Sequence, residues 1–150
     1  MKRWLCISLL LLLFIGCTQK PVEHEIINTP DAPAAIGPYS QAVRVGNRLY
    51  FSGQLGMDPE TGKLVKGGFG AQVRQALTNQ QAVLNHAGFC LKDVVQCQVF
   101  VTDLNNYSAF NAIYTEFFTD SFPARAVLEV SRIPADGLVE IMMVAEKTNP

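Results

Sequence analysis

Between Gln41 and Glu146 the spacing of apolar residues switches from alternate positions to helical spacing and back, twice. That rhythm leaves few ways to build a domain. Ala42-Val43-Arg44-Val45 and Arg48-Leu49-Tyr50-Phe51-Ser52-Gly53-Gln54 flank the polar pair Gly46-Asn47, which predicts a hairpin. Turn residues follow at 58–63 and again at Gly67-Gly68-Phe69-Gly70. Phe69, Val73, Ala76, Leu77, Val83, Leu84 and Ala87 then recur at helical spacing, with Arg74, Gln75, Asn79 and Gln81 on the other positions and Gly88 placed as a C-terminal cap. Residues 94–102 predict a strand with Val95, Cys97, Val99 and Val101 on one face and Val94, Gln96, Gln98 and Phe100 on the other. A second helix is expected from about Tyr107 to Thr119, carrying Phe110, Ile113, Tyr114, Phe117 and Phe118 inward. Two β-rich runs, 125–130 and 138–146, flank a proline- and glycine-bearing break.

The order ββ-α-β-α-ββ predicts an α+β fold, one mixed sheet with both helices on one face. Two helices cannot cover both faces. Val127, Ile141 and Met143 are therefore expected to find shelter in a homo-oligomer. Composition narrows the partners. Twelve basic against 13 acidic residues leave a net charge of −1, no footprint for nucleic acid, and 49% hydrophobic content is too high for disorder.

The N-terminus reads differently. Lys2 and Arg3 precede an apolar run over residues 5–15, short of the roughly 20 residues a membrane-spanning helix needs. Phe14-Ile15-Gly16-Cys17 resembles the bacterial lipoprotein box. The resemblance implies a signal peptide over residues 1–16, removed on export, and a diacylated Cys17 that anchors the protein in the cell envelope. Residues 17–25, polar and containing Pro21, are expected to be a tether, and 26–150 the folded domain. By resemblance to enteric lipoproteins, Thr18 in place of an aspartate after the cysteine implies the periplasmic face of the outer membrane. Once Cys6 leaves and Cys17 is acylated, Cys90 and Cys97 are the two that could pair, but a loop cysteine seven residues from one inside a strand is poorly placed for it, and two buried free thiols are expected. His24 and His86 form no cluster with them, so no metal site is expected.

Periodicity leaves a few polar residues unexplained. Arg125, opening an otherwise apolar strand, can grip a carboxylate in two parallel hydrogen bonds or form an ordinary ion pair. Glu140 can orient a water or simply be solvated. Tyr39 and Ser52 can donate to a ligand, while Asn111 suits a helix surface. Together these imply a small apolar pocket holding one arginine.

In series the motifs say more. Residues 34–41 (AAIGPYSQ), Ser52-Gly53-Gln54, Asp103-Leu104-Asn105 with Asn111 and Tyr114, and Phe122-Pro123-Ala124-Arg125 with Glu129-Val130 resemble the YjgF/Rid (RidA-like) family of enamine/imine deaminases. The resemblance runs from about Ile26 to Lys147. It implies a chorismate-mutase-like fold, a homotrimer around a central barrel, and three sites at subunit interfaces. The chemistry implied is hydrolysis of 2-imino acids such as 2-iminopropanoate and 2-iminobutanoate to 2-oxo acids and ammonia, without cofactor or metal. By the same resemblance Arg125 holds the substrate carboxylate, Tyr39, Ser52, Gly53, Gln54 and Asn111 line the pocket, and Glu140 positions the attacking water. Val127 stands where many members carry a cysteine. The alternative is a non-catalytic, ligand-binding or chaperone-like lipoprotein using the same pocket.

Overall fold

The computed structural model describes residues 23–148; the expected signal peptide, Cys17 and most of the tether lie outside the described residues. Within them, no helix is long and apolar enough to cross a membrane. Seven strands make one sheet: β1 (His24–Ile27), β2 (Ala42–Val45), β3 (Arg48–Phe51), β4 (Gln54–Leu55), β5 (Val94–Val101), β6 (Ala124–Glu129) and β7 (Val139–Glu146). With the helices α1 (Gly68–His86) and α2 (Tyr107–Phe117) they form the expected α+β fold. The sheet runs β1-β2-β3-β7-β5-β6, and β4 pairs with β7 beyond the end of β3. Only β5 and β6 are parallel, and α2 supplies the crossover that a parallel pair requires.

One core lies between the helices and the sheet. Val73, Leu77 and Val83 of α1 and Phe110 and Ile113 of α2 pack with Leu49, Cys97, Val99, Ile141 and Met143. Ile141 and Met143 are 0% and 2% exposed beneath the chain's own helices, so they are not the residues that need a partner. Val127 is half-buried against the same core. The face left open carries the alternate positions: Tyr50, Gln96, Gln98, Met142 and Val144. The case for oligomerisation thus moves to the other side of β7.

Local chemistry explains the element ends. Gly88 takes φ +76°, its N–H donates to the Asn85 carbonyl at 3.0 Å, and the Phe89 N–H reaches back to Leu84 at 2.8 Å. This is a Schellman closure, sealed by the buried Leu84 and Phe89. A bidentate Arg74–Glu116 ion pair ties α1 to α2. α2 stops at Phe117, short of the expected Thr119; Phe118 turns extended and still stacks on Tyr114 at 4.5 Å.

Other differences concern register and burial. β1 starts at His24, inside the expected tether, and pairs antiparallel with β2. In β5 the register slips between Val94 and Gln96, so Val94 turns inward at 7% exposure and Val95 outward at 46%. That bulge reverses the faces that strict alternation assigns them. Cys97 is buried but Cys90 is exposed, which corrects the expectation of two buried thiols. Asn79, expected on the open side of α1, is 0% exposed; its Nδ2 donates to the carbonyls of Leu55 at 3.0 Å and Met57 at 2.8 Å.

Candidate active site

Arg125 is the second residue of β6, opposite Cys97 and beside α2. Its Nη2 donates to Asn111 Oδ1 at 2.7 Å and to the Tyr107 hydroxyl at 3.3 Å. The guanidinium carbon stands 4.5 Å from the Tyr114 ring centre, 5.3 Å from Phe110 and 5.9 Å from Tyr107. Each such contact contributes roughly 0.5–2 kcal/mol, the upper end where water is excluded. Among the described residues none of the ion pairs includes Arg125. Ring faces and one amide oxygen therefore hold a positive charge that no carboxylate neutralises. Nε and Nη1 make no hydrogen bond among the described residues, which leaves two donors beside a cleft of about 770 Å³. Leu104, Tyr107, Asn111, Phe122 and Val127 line it. Asn111 is therefore the residue that sets the guanidinium plane, a task its helix-surface position did not suggest.

Glu140 sits in β7 opposite Phe100 and Leu55. Burial raises its carboxyl above the usual carboxylate range. It shares a second cleft, about 390 Å³, with Ile36, Tyr39, Ser52, Gly53 and Met142. A Cβ at Gly53 would lie 1.9 Å from Glu140 Oε1, so glycine is what lets the carboxylate fold over the strand. The Ser52 hydroxyl donates its proton to the Ser40 carbonyl at 2.6 Å, so what it has left to offer is acceptor capacity, not the expected donor. The Tyr39 hydroxyl accepts the Ile36 N–H at 3.2 Å and keeps its own proton to offer. Gln54 is 4% exposed, lies opposite Ile141, and borders a smaller neighbouring pocket with Tyr39 and Gly53.

The expected site residues thus fall into two groups. Arg125, Asn111 and Val127 share one cleft; Tyr39, Ser52, Gly53 and Glu140 share the other. Register puts the groups on opposite faces of the sheet. Arg125 aligns across β5 with Met143 on the covered face, whereas Glu140 alternates with the buried Val139 and Ile141. Two strand spacings and three residues separate them, about 14 Å between Cα atoms. Tyr107, Phe110 and Phe122 were not singled out from sequence as site residues. Tyr107, Phe110 and Tyr114 follow helical spacing, which reads as a core stripe, and only their stacking around Arg125 reveals the second role.

A family model described as Endoribonuclease L-PSP matches residues 29–147. The chain is 51% identical over 122 residues to a 2-iminobutanoate/2-iminopropanoate deaminase of Capra hircus, covering 81% of this chain and 89% of that protein. It is 45% identical to the Homo sapiens protein of the same name, with the same coverage. Among solved structures, RidA from Psychrobacter sp. PAMC 21119 aligns with a TM-score of 0.80 at 44% identity, over 82% of this chain and 99% of that one. Escherichia coli TdcF with bound serine gives 0.79 at 36%, over 83% and 99%. A family model over most of the chain, relatives at this identity and an aligned fold agree, and the chain belongs to the Ribonuc_L-PSP (YjgF/RidA) family.

Proposed function

We propose that the protein hydrolyses small 2-imino acids to 2-oxo acids and ammonia, in sites completed between copies of the chain in a homotrimer. The observation that carries this reading is Arg125, a cation without a carboxylate partner among the described residues, with Nε and Nη1 free beside an aromatic-walled cleft. A substrate carboxylate takes both donors in parallel, which fixes the adjacent imine carbon. Glu140, ionised, holds a water by one hydrogen bond. Water oxygen attacks the carbon of the protonated imine as the C=N electron pair moves to nitrogen; one water proton passes through Glu140 to that nitrogen, and the remaining O–H pair then closes the C=O bond as the C–N bond breaks, releasing ammonia and the last proton. A protonated imine is already electrophilic, so orientation alone contributes up to roughly 7–11 kcal/mol. Serine bound to TdcF supports a ligand of amino-acid size.

A second copy is needed because Arg125 and Glu140 of one chain face away from each other. An open sheet face bearing Tyr50, Met142 and Val144 is the surface such a trimer would bury. The endoribonuclease description suits the site less well. A polyanion needs several cations, and among the described residues Arg125 is the one basic side chain lining either cleft. Envelope attachment through an acylated Cys17 is part of the proposal and rests on sequence alone. Intact mass would test it, and a mature chain retaining residues 1–16 would refute it.

Subunit complementation tests the shared site. Arg125→Ala and Glu140→Ala are each expected to be inactive, and random mixed trimers should recover about a quarter of the sites. No recovery from verified mixed trimers would place both residues' work within one chain and overturn the reading. Ligand binding without hydrolysis would favour the non-catalytic alternative.

A further inference from the structure

Gln80 is fully buried in α1, beside the apolar Val73, Ala76, Leu77, Val83 and Leu84. Its Nε2 donates to the carbonyl of Ser52 at 3.2 Å and to that of Ile141. Its Oε1 is sealed from solvent and has no partner among the described residues. A buried unpaired acceptor is destabilising, and an apolar side chain of similar length would avoid the cost. What Gln80 contributes is therefore its pair of N–H groups.

Their acceptors share an address. Ser52 precedes Gly53 and Ile141 follows Glu140, so one amide spans both strands where Glu140 overhangs Gly53. There the ladder slips: Tyr50 opposes Val144, yet Gln54 opposes Ile141, so one strand carries an extra residue. Carbonyls at such a bulge need a donor from elsewhere. Gln72 and Asn79 of α1 hold Leu138, Leu55 and Met57, all beyond the slip on its β4 side and none across it. We infer that Gln80 is a positioning residue for the proposed hydrolysis, holding the bulge closed so that Glu140 keeps one place over Gly53. The inference rests on the function proposed above.

Two readouts test it, one independent of turnover. In the full chain, carboxyl-carbon NMR follows Glu140 in the parent and in Gln80→Met. Tyr39 is the other titratable side chain of the same copy lining that cleft, and a second copy's Arg125, common to parent and variant, biases both midpoints alike, so the difference between them reports chiefly on burial. A loosened bulge admits water, and the Glu140 midpoint should fall toward the ordinary carboxylate range. Turnover should drop about tenfold in kcat with KM unchanged, and the same substitution should cost nothing further in a Glu140→Gln background. An unchanged midpoint, or equal losses in both backgrounds, would overturn the inference. Gln80→Glu, whose protonated carboxyl keeps one donor, should fall between parent and Gln80→Met, and keeps the test open if the latter fails to fold. A parent without Arg125-dependent turnover would defeat the proposed function, while the titration would still decide whether Gln80 holds Glu140.

Discussion

Alanine at position 53 puts a methyl group where the Glu140 carboxylate now lies. The new Cβ would sit 1.9 Å from Oε1, 2.6 Å from Cδ and 2.8 Å from Cγ, whereas real Cβ contacts essentially never fall below 3.0 Å. The carboxylate must give way by about an ångström. Because the obstacle is a half-buried, flexible side chain and not main chain, the fold can absorb the change for about 0.5–1.5 kcal/mol of rotamer strain, a few degrees in Tm. Catalysis cannot absorb it, since misplacing a reacting group by 1 Å costs on the order of 10²-fold. Gly53→Ala is thus expected to lose about 10²-fold in kcat for imine hydrolysis while melting close to the parent. Gly56→Ala is the contrast. Its Cβ would come within 2.4 Å of the Gln72 Cα, a backbone atom that cannot swing aside, so stability should fall by about 1–3 kcal/mol or more. Thermal melts and initial rates on both variants decide the matter. A Gly53→Ala protein with parental kcat would show that the position of Glu140 over the bulge does not matter.

Glu140 also predicts a trade between stability and activity. Its folded-state pKa is raised, so the folded protein holds this proton more tightly than the unfolded chain, and stability falls as pH rises from the ordinary carboxylate range through the raised value. Glu140→Gln should therefore melt higher than the parent at pH 7, with the gain vanishing in acid, and should turn over poorly; a parent melting higher at pH 7 would contradict this. Thiol labelling should separate the two cysteines. Burial pushes the Cys97 thiol up to about 11, whereas Cys90 is exposed, so iodoacetamide at pH 8 with peptide mapping should modify Cys90 and spare Cys97 in the native protein. The Tyr114 hydroxyl is buried beside the Cys97 thiol and has no well-formed hydrogen bond among the described residues, so Tyr114→Phe should leave stability unchanged or raise it by up to about 1–2 kcal/mol in a denaturant titration; a clear loss would mean that the approach to Cys97 is worth more than this.

Much of this fold is legible in the sequence because its signals are local. Alternation around Gly46-Asn47 gives the β2–β3 hairpin, and the 3.6 period gives both helices. β1 is not legible, since four residues with only Ile27 buried carry no period. Nor is the slip at Val94–Gln96, because a bulge inverts faces without changing composition. Ile141 and Met143 were expected to need a partner's cover for a related reason: period two says which residues share a face, not which face the helices choose. The site followed the same rule. Arg125, Asn111 and Glu140 stood out as polar residues in apolar runs, and sequence could name them, but only the β5–β6 and β5–β7 registers place Arg125, with Asn111 bonded to it, and Glu140 on opposite sides of the sheet. Gln80 gave no signal, because a glutamine in a helix usually faces water and its partners lie 28 and 61 residues away.

The central claim is Arg125-dependent hydrolysis, and one assay tests it most directly. An amino-acid oxidase generates 2-iminopropanoate or 2-iminobutanoate in place, and the decay of the imine is followed with the folded domain and with its Arg125→Ala variant. Removing two charge-assisted hydrogen bonds to the substrate carboxylate withdraws about 3–6 kcal/mol, roughly 10²–10⁴-fold in kcat/KM. The account predicts fast decay with the parent and near-background decay with Arg125→Ala at unchanged oligomeric state. Equal rates with the two proteins, or no acceleration by the parent across several side-chain sizes, would contradict it.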